Sequence, residues 1–222
     1  PANIGDLTNL EYLNLNASGA LTGEIPSSIA NMSNLEYLYV NNTNFTGGYQ
    51  HIGALTNLRV LYVINAPAIA TDLPDSYSNL VNLENFVFGV GNYAPFPPEV
   101  LSMTNLKVLQ APEAGLTEIP VELGTFDSLY YINFRNNSIT GAFPVELNQQ
   151  FQFVYIQENE IDDISALEQD SLLTSIIARG NNLDFQDLLP FQTYFENINN
   201  GFIPGFYDVA YMKPTNMEFC IL

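Results

Sequence analysis

The sequence is short of the residues on which most chemistry depends. Its 222 residues include one cysteine, one histidine, no tryptophan and only five Lys+Arg. The lone Cys220 excludes a disulfide framework and any cysteine-based zinc site. Set among Phe219, Ile221 and Leu222, it reads as a buried, inert thiol. Against the five cations stand 24 Asp+Glu, a formal charge of -19. Nucleic acid and anionic membrane surfaces are excluded as partners, because phosphate recognition needs a basic footprint. No uninterrupted apolar run is long enough to span a bilayer as a helix. His51 has no second imidazole to join it, so it is read as structural or solvent-exposed. The acidic pairs Asp162-Asp163, Asp184 with Asp187, and Glu118 with Glu122 do not follow a calcium-loop pattern, and each is read as a solvated face. There is no phosphate-cradling glycine loop and no serine elbow. The sequence therefore predicts no active site, no metal and no cofactor: it is not read as an enzyme.

What is present is a core and a period. Apolar residues make up 47% of the chain and aromatics 13%, enough to exclude disorder despite the charge. The dipeptide Asn-Leu recurs as Asn9-Leu10, Asn34-Leu35, Asn57-Leu58, Asn82-Leu83 and Asn105-Leu106, and Ser128-Leu129 follows in register. These leucines are 25, 23, 25, 23 and 23 residues apart, and Phe151 and Leu173 continue at 22. After each anchor comes one apolar skeleton, as in Leu10, Leu13, Leu15, then Leu35, Leu38, Val40, and so on to Leu173, Ile176, Ala178. An i, i+2 apolar pair is a short strand with one buried face. Eight such strands at one period cannot bury their faces singly; stacked, they form one parallel sheet over a continuous core.

This skeleton resembles the leucine-rich-repeat family, L-x-x-L-x-L-x-x-N-x-L. Leu21-Thr22-Gly23-Glu24-Ile25-Pro26 and Ile139-Thr140-Gly141-Ala142-Phe143-Pro144 resemble its plant-type subclass. The tract from Asn181 to Pro190 is similar to the last repeat of secreted bacterial leucine-rich proteins of the Bacteroidetes type. The resemblance implies an α/β fold: a right-handed horseshoe solenoid with a parallel concave β-sheet and a 3-10 or extended convex side. On that side Pro, which lacks an N–H, cannot join an inner ladder. Gly23 and Gly141 are expected to permit the turn before it. The repeat's asparagine, expected to satisfy backbone groups after the strand, is kept at Asn137, Asn159 and Asn181. Ser18, Thr43, Ala66, Gly91 and Ala114 replace it earlier, so the first five repeats are expected to be less regular. The extra residues of the 25-residue repeats are placed near Ser18–Ala20 and Pro67–Ile69.

The expected organisation is a solenoid over residues 1–190 and a C-terminal cap, or the start of a following module, over 191–222, where aromatics are dense. Pro1 falls where the proline of an Ile-Pro pair belongs. Further repeats or a polar cap are therefore expected upstream.

Side chains alternate along a strand, so residues flanking the buried pair face outward. Two rows result: Tyr12, Tyr37, Val60, Asn85, Val108, Tyr131, Phe153; and Asn14, Tyr39, Tyr62, Val87, Gln110, Asn133, Tyr155. Asn16, Asn41, Arg135, Arg179 and Ser175 are also placed outward. Glu24, Asp72, Asp75, Glu99, Glu122 and Glu146 fall on the convex side. Rigid amphipathic rings beside adaptable amides are the composition of a recognition surface. The predicted binding residues are Tyr12, Tyr37, Tyr39, Tyr62, Tyr131, Arg135, Phe153, Tyr155 and Arg179. The expected function is non-catalytic binding of a protein or peptide ligand in an extracellular or cell-surface protein. Glycan binding and a structural spacer are the alternatives. Asn16, Asn31, Asn41, Asn44 and Asn136 head N-x-Ser/Thr sequons; glycans on Asn16 or Asn41 would block part of the concave face.

Overall fold

A computed structural model describes residues 3–147, 151–168, 170–188 and 191. The described residues form twelve short strands, joined largely by single turns of 3-10 helix. In chain order these are β1 (Tyr12–Asn14), β2 (Thr22–Glu24), β3 (Tyr37–Tyr39), β4 (Asn44–Gly47), β5 (Val60–Tyr62) and β6 (Asn85–Val87), then β7 (Val108–Gln110), β8 (Tyr131–Asn133), β9 (Thr140–Ala142), β10 (Phe153–Tyr155), β11 (Glu160–Asp163) and β12 (Ser175–Ile177). Eight of them make one parallel sheet in the order β1-β3-β5-β6-β7-β8-β10-β12. The middle residue of each, from Leu13 through Leu38, Leu61, Phe86, Leu109, Ile132 and Val154 to Ile176, pairs with its counterpart without a register shift. The parallel sheet expected from the periodicity, and the α/β solenoid that the resemblance implies, are therefore the observed fold.

The convex side follows from proline. Pro26, Pro74, Pro97 and Pro120 sit in extended backbone immediately before the 3-10 turns Ser27–Asn31, Asp75–Asn79, Pro98–Ser102 and Val121–Thr125. Fixed φ and a missing N–H suit this entry position. Each turn sends one apolar side chain inward, such as Ile29, Tyr77, Val100 and Leu123. These meet the strand residues in one continuous core from Ile25 to Phe191.

Gly23 and Gly141 do have the left-handed φ the sequence requires of them, +79° and +76°. They lie inside β2 and β9 rather than in open turns. These pair with β4 and β11 as two small parallel sheets. No sequence signal announced them, because Thr22-Gly23-Glu24 has no apolar alternation.

The early repeats are not irregular in the sheet. Their departures sit in the turns, where Pro67–Ile69 forms an extra 3-10 turn at a place expected to hold an inserted residue. Every repeat also has one left-handed residue after its strand: Ala17, Asn42, Asn65, Val90, Glu113, Asn136, Glu158 and Gly180. A short helix, Phe185–Leu188, follows the last strand. Asp184 caps it, its Oδ1 accepting the Gln186 and Asp187 N–H groups at 2.6 and 3.3 Å. Pro1, Cys220 and most of the expected C-terminal cap lie outside the described residues; Phe191 is buried in the core.

Two asparagine ladders tie successive repeats together. In the first, Asn34, Asn57, Asn82 and Asn105 of the Asn-Leu anchors donate through Nδ2 to carbonyls of the preceding repeat, Thr8, Ser33, Thr56 and Val81, at 2.7–2.9 Å. The second, internal ladder is made by the asparagines of the later repeats. Asn159 Nδ2 donates to the Phe134 and Ile156 carbonyls, both at 2.9 Å, while its Oδ1 accepts the Ile139 N–H at 3.0 Å. Asn137 and Asn181 repeat the arrangement.

Candidate functional site: the open face of the sheet

One face of the eight-stranded sheet is core. The other is built by the first and third residue of each strand, and the register fixes their rows. Tyr12, Tyr37, Val60, Asn85, Val108, Tyr131, Phe153 and Ser175 stand in one line. Asn14, Tyr39, Tyr62, Val87, Gln110, Asn133, Tyr155 and Ile177 stand in the other. None of these positions is charged. The two lines match the rows expected from sequence, with two corrections at the level of exposure. Val87 is 6% and Ser175 2% exposed.

The structure divides the predicted aromatic residues into two patches. In the first, Tyr12 packs on Tyr37 at 6.1 Å and on Tyr39 at 5.4 Å, and Tyr39 meets Tyr62 edge-on at 4.9 Å. In the second, Tyr131 packs on Phe153 at 5.8 Å and on Tyr155 at 5.3 Å. Tyr130, not singled out from sequence, also contacts Phe153, at 6.4 Å. Such contacts hold rings in place before a partner arrives, lowering the entropy lost on binding. Burial, then Tyr62, Tyr12 and Tyr37, raises the Tyr39 hydroxyl pKa. Burial and Tyr155 push Tyr131 up to about 12. Tyr39 and Tyr131 are therefore neutral hydrogen-bonding groups at ordinary pH.

Between the patches lies a lower saddle of Asn85, Val108, Gln110 and Asn133. Asn133 Nδ2 donates to Gln110 Oε1 at 3.3 Å. Asn85 Oδ1 is buried and has no hydrogen-bond partner among the described residues. Arg135 is exposed beyond the second patch and Arg179 is half-buried.

Three sequence readings need correction. Asn16 and Asn41 are not free surface amides. Asn16 Oδ1 accepts the Asn41 N–H at 2.9 Å, and Asn41 Oδ1 the Ile64 N–H at 2.8 Å. They extend the sheet past its strands and serve the early repeats. Glu99, read as a convex surface acid, is only 7% exposed. Burial raises its pKa, with Asp72 and Asp75 adding to the rise.

The sequence also missed an ionic row one residue before the strands. Arg59 lies 3.6 Å from Glu36 and 2.7 Å from Glu84, and Lys107 Nζ lies 2.9 Å from Glu84. Hydrogen bonds from Lys107 and Arg59 hold the Glu84 carboxyl below the usual range. The pairing needs the lateral register, which the sequence alone does not display residue by residue.

Solved structures show where this architecture occurs. A leucine-rich-repeat protein of Leptospira interrogans superposes with a TM-score of 0.69 at 20% identity, over 89% of this chain and 49% of that one. An internalin from Listeria monocytogenes gives 0.66 at 21% identity, over 86% and 60%. The ectodomain of an Arabidopsis thaliana receptor kinase, solved in complex with Casparian Strip Integrity Factor 2, gives 0.62 at 26% identity, over 82% and 26%. The chain thus spans about half to three fifths of the two bacterial proteins. No protein-family model matches the sequence, and no curated protein matches it.

Proposed function

We propose that this leucine-rich-repeat chain is a non-catalytic recognition module that binds a protein or peptide ligand on the concave face of its sheet, as part of an extracellular or cell-surface protein. The observation that carries the reading is the pair of pre-packed aromatic patches on a face without charge, in a chain whose net charge is -19. A face that served only to be solvated would share the acidic composition of the rest. Two clusters of packed aromatic rings on one face are the composition of an interaction site. Tyr12, Tyr37, Tyr39, Tyr62, Tyr131, Phe153 and Tyr155 act as anchors, and Arg135 and Arg179 as polar contacts. The receptor ectodomain among the structural neighbours, solved with its ligand, is consistent with this use of the fold, although fold alone assigns no ligand.

The test is cross-linked capture from the native extracellular milieu. Wild type is compared with a Tyr37→Ser, Tyr39→Ser, Tyr62→Ser variant of matched thermal stability. The expected result is a protein or peptide captured by wild type and lost by the variant. Equal capture by both would move the site off this face, and a captured glycan would change the ligand class.

A further inference from the structure

The register of the sheet turns the two patches into a ruler. In the first row, four strand steps separate Tyr37 from Tyr131; in the second, four separate Tyr62 from Tyr155. Strands stand about 4.8 Å apart, so the span is roughly 19 Å in both rows. An extended polypeptide rises about 3.3 Å per residue, so six residues cover roughly 20 Å. Six is an even number, and even spacings put two side chains on the same face of an extended chain.

The saddle suits what would lie between those two side chains. It offers the Asn85, Gln110 and Asn133 amides around Val108, polar partners for a backbone running between the anchors.

We infer that the ligand is an extended polypeptide segment with two apolar side chains six residues apart. This rests on the concave-face reading above and sharpens it from a surface to a spacing.

The experiment is a displayed library of peptides about a dozen residues long, with two aromatic anchors separated by two to eight variable residues, selected on the full chain. Peptides with five intervening residues should dominate, with at least about tenfold enrichment over four or six, which turn the second anchor to the wrong face. Tyr62→Ser and Tyr155→Ser should each abolish selection; Tyr62→Leu and Tyr155→Leu, which keep apolar bulk, serve if a serine variant fails to fold. Binders that need the tyrosines but show no preference for spacing would overturn this inference and leave the concave-face reading standing. Binders that survive loss of either patch would overturn the inference and the face together.

Discussion

The early and late repeats solve the same problem with different chemistry. After each strand the chain turns through a left-handed residue, and backbone groups there need partners. In the late repeats an asparagine enters the core: Asn159 is 3% and Asn181 is 3% exposed, and each satisfies three backbone groups in two repeats. In the early repeats that position is Thr43, Ala66, Gly91 or Ala114. Thr43 Oγ1 donates to one carbonyl, Val40, at 3.0 Å. The amides sit instead at Asn16 and Asn41, on the sheet's outer side, each accepting one N–H. One register is thus held by internal amides at one end and by peripheral ones at the other. Uniform geometry need not rest on a uniform motif.

The comparison is sharpest in the cost of losing one amide. Asn159→Ala should cost about 2–3 kcal/mol, because the Ile139 N–H is left buried without a partner and the Phe134 and Ile156 carbonyls each lose one of two side-chain donors. Asn41→Ala should cost about 1 kcal/mol, since it frees only the Ile64 N–H. Urea denaturation measures both, and equal losses would erase the distinction between the two ends.

The turns offer a change of opposite sign. Val90 holds φ = +57°, where a β-branched residue is poorly accommodated. Its counterparts Asn42 and Asn65 are joined, Asn65 Nδ2 donating to Asn42 Oδ1 at 2.9 Å. Val90→Asn should gain about 1 kcal/mol by relieving the backbone and lengthening that row. A loss in thermal melting would show that Val90 is held by packing instead.

The smallest effect belongs to Glu99, between the two ends. Its folded pKa is raised above the ordinary 4.5, chiefly by burial. The native state therefore holds the proton more tightly than the unfolded chain, and stability falls as pH rises through the folded value. Glu99→Gln should raise the melting temperature at neutral pH, and the gain should vanish below about pH 4.5. A gain independent of pH would separate the effect from ionisation.

Much of this was legible in the sequence. The Leu13, Leu38 and Leu61 spacing gave the strands, the Ile-Pro and Phe-Pro pairs gave the 3-10 entries, and alternation gave the two outward rows. The division of Tyr12, Tyr37, Tyr39 and Tyr62 from Tyr131, Phe153 and Tyr155 was present in the rows as well, but its meaning depends on ring contacts. What stayed hidden depends on lateral neighbours in adjacent repeats. Asn16 and Asn41 alternate like surface residues, yet their carbonyl oxygens reach N–H groups 25 and 23 positions away. Glu99 sits in a convex segment rich in prolines, where nothing in the local pattern shows that the next turn will cover it.

The Phe134 carbonyl accepts from both Asn137 and Asn159, and the Ile156 carbonyl from both Asn159 and Asn181. Each shared acceptor belongs to two repeats, so neither repeat can leave without stranding a donor in its neighbour. In a linear array whose stability is a sum of repeat and interface terms, this concentrates cooperativity at one end. The repeats from Ala111 to Asn181 are expected to open more cooperatively than those before them. A pulling force or a protease would meet a zipper at the first end and a latch at the second.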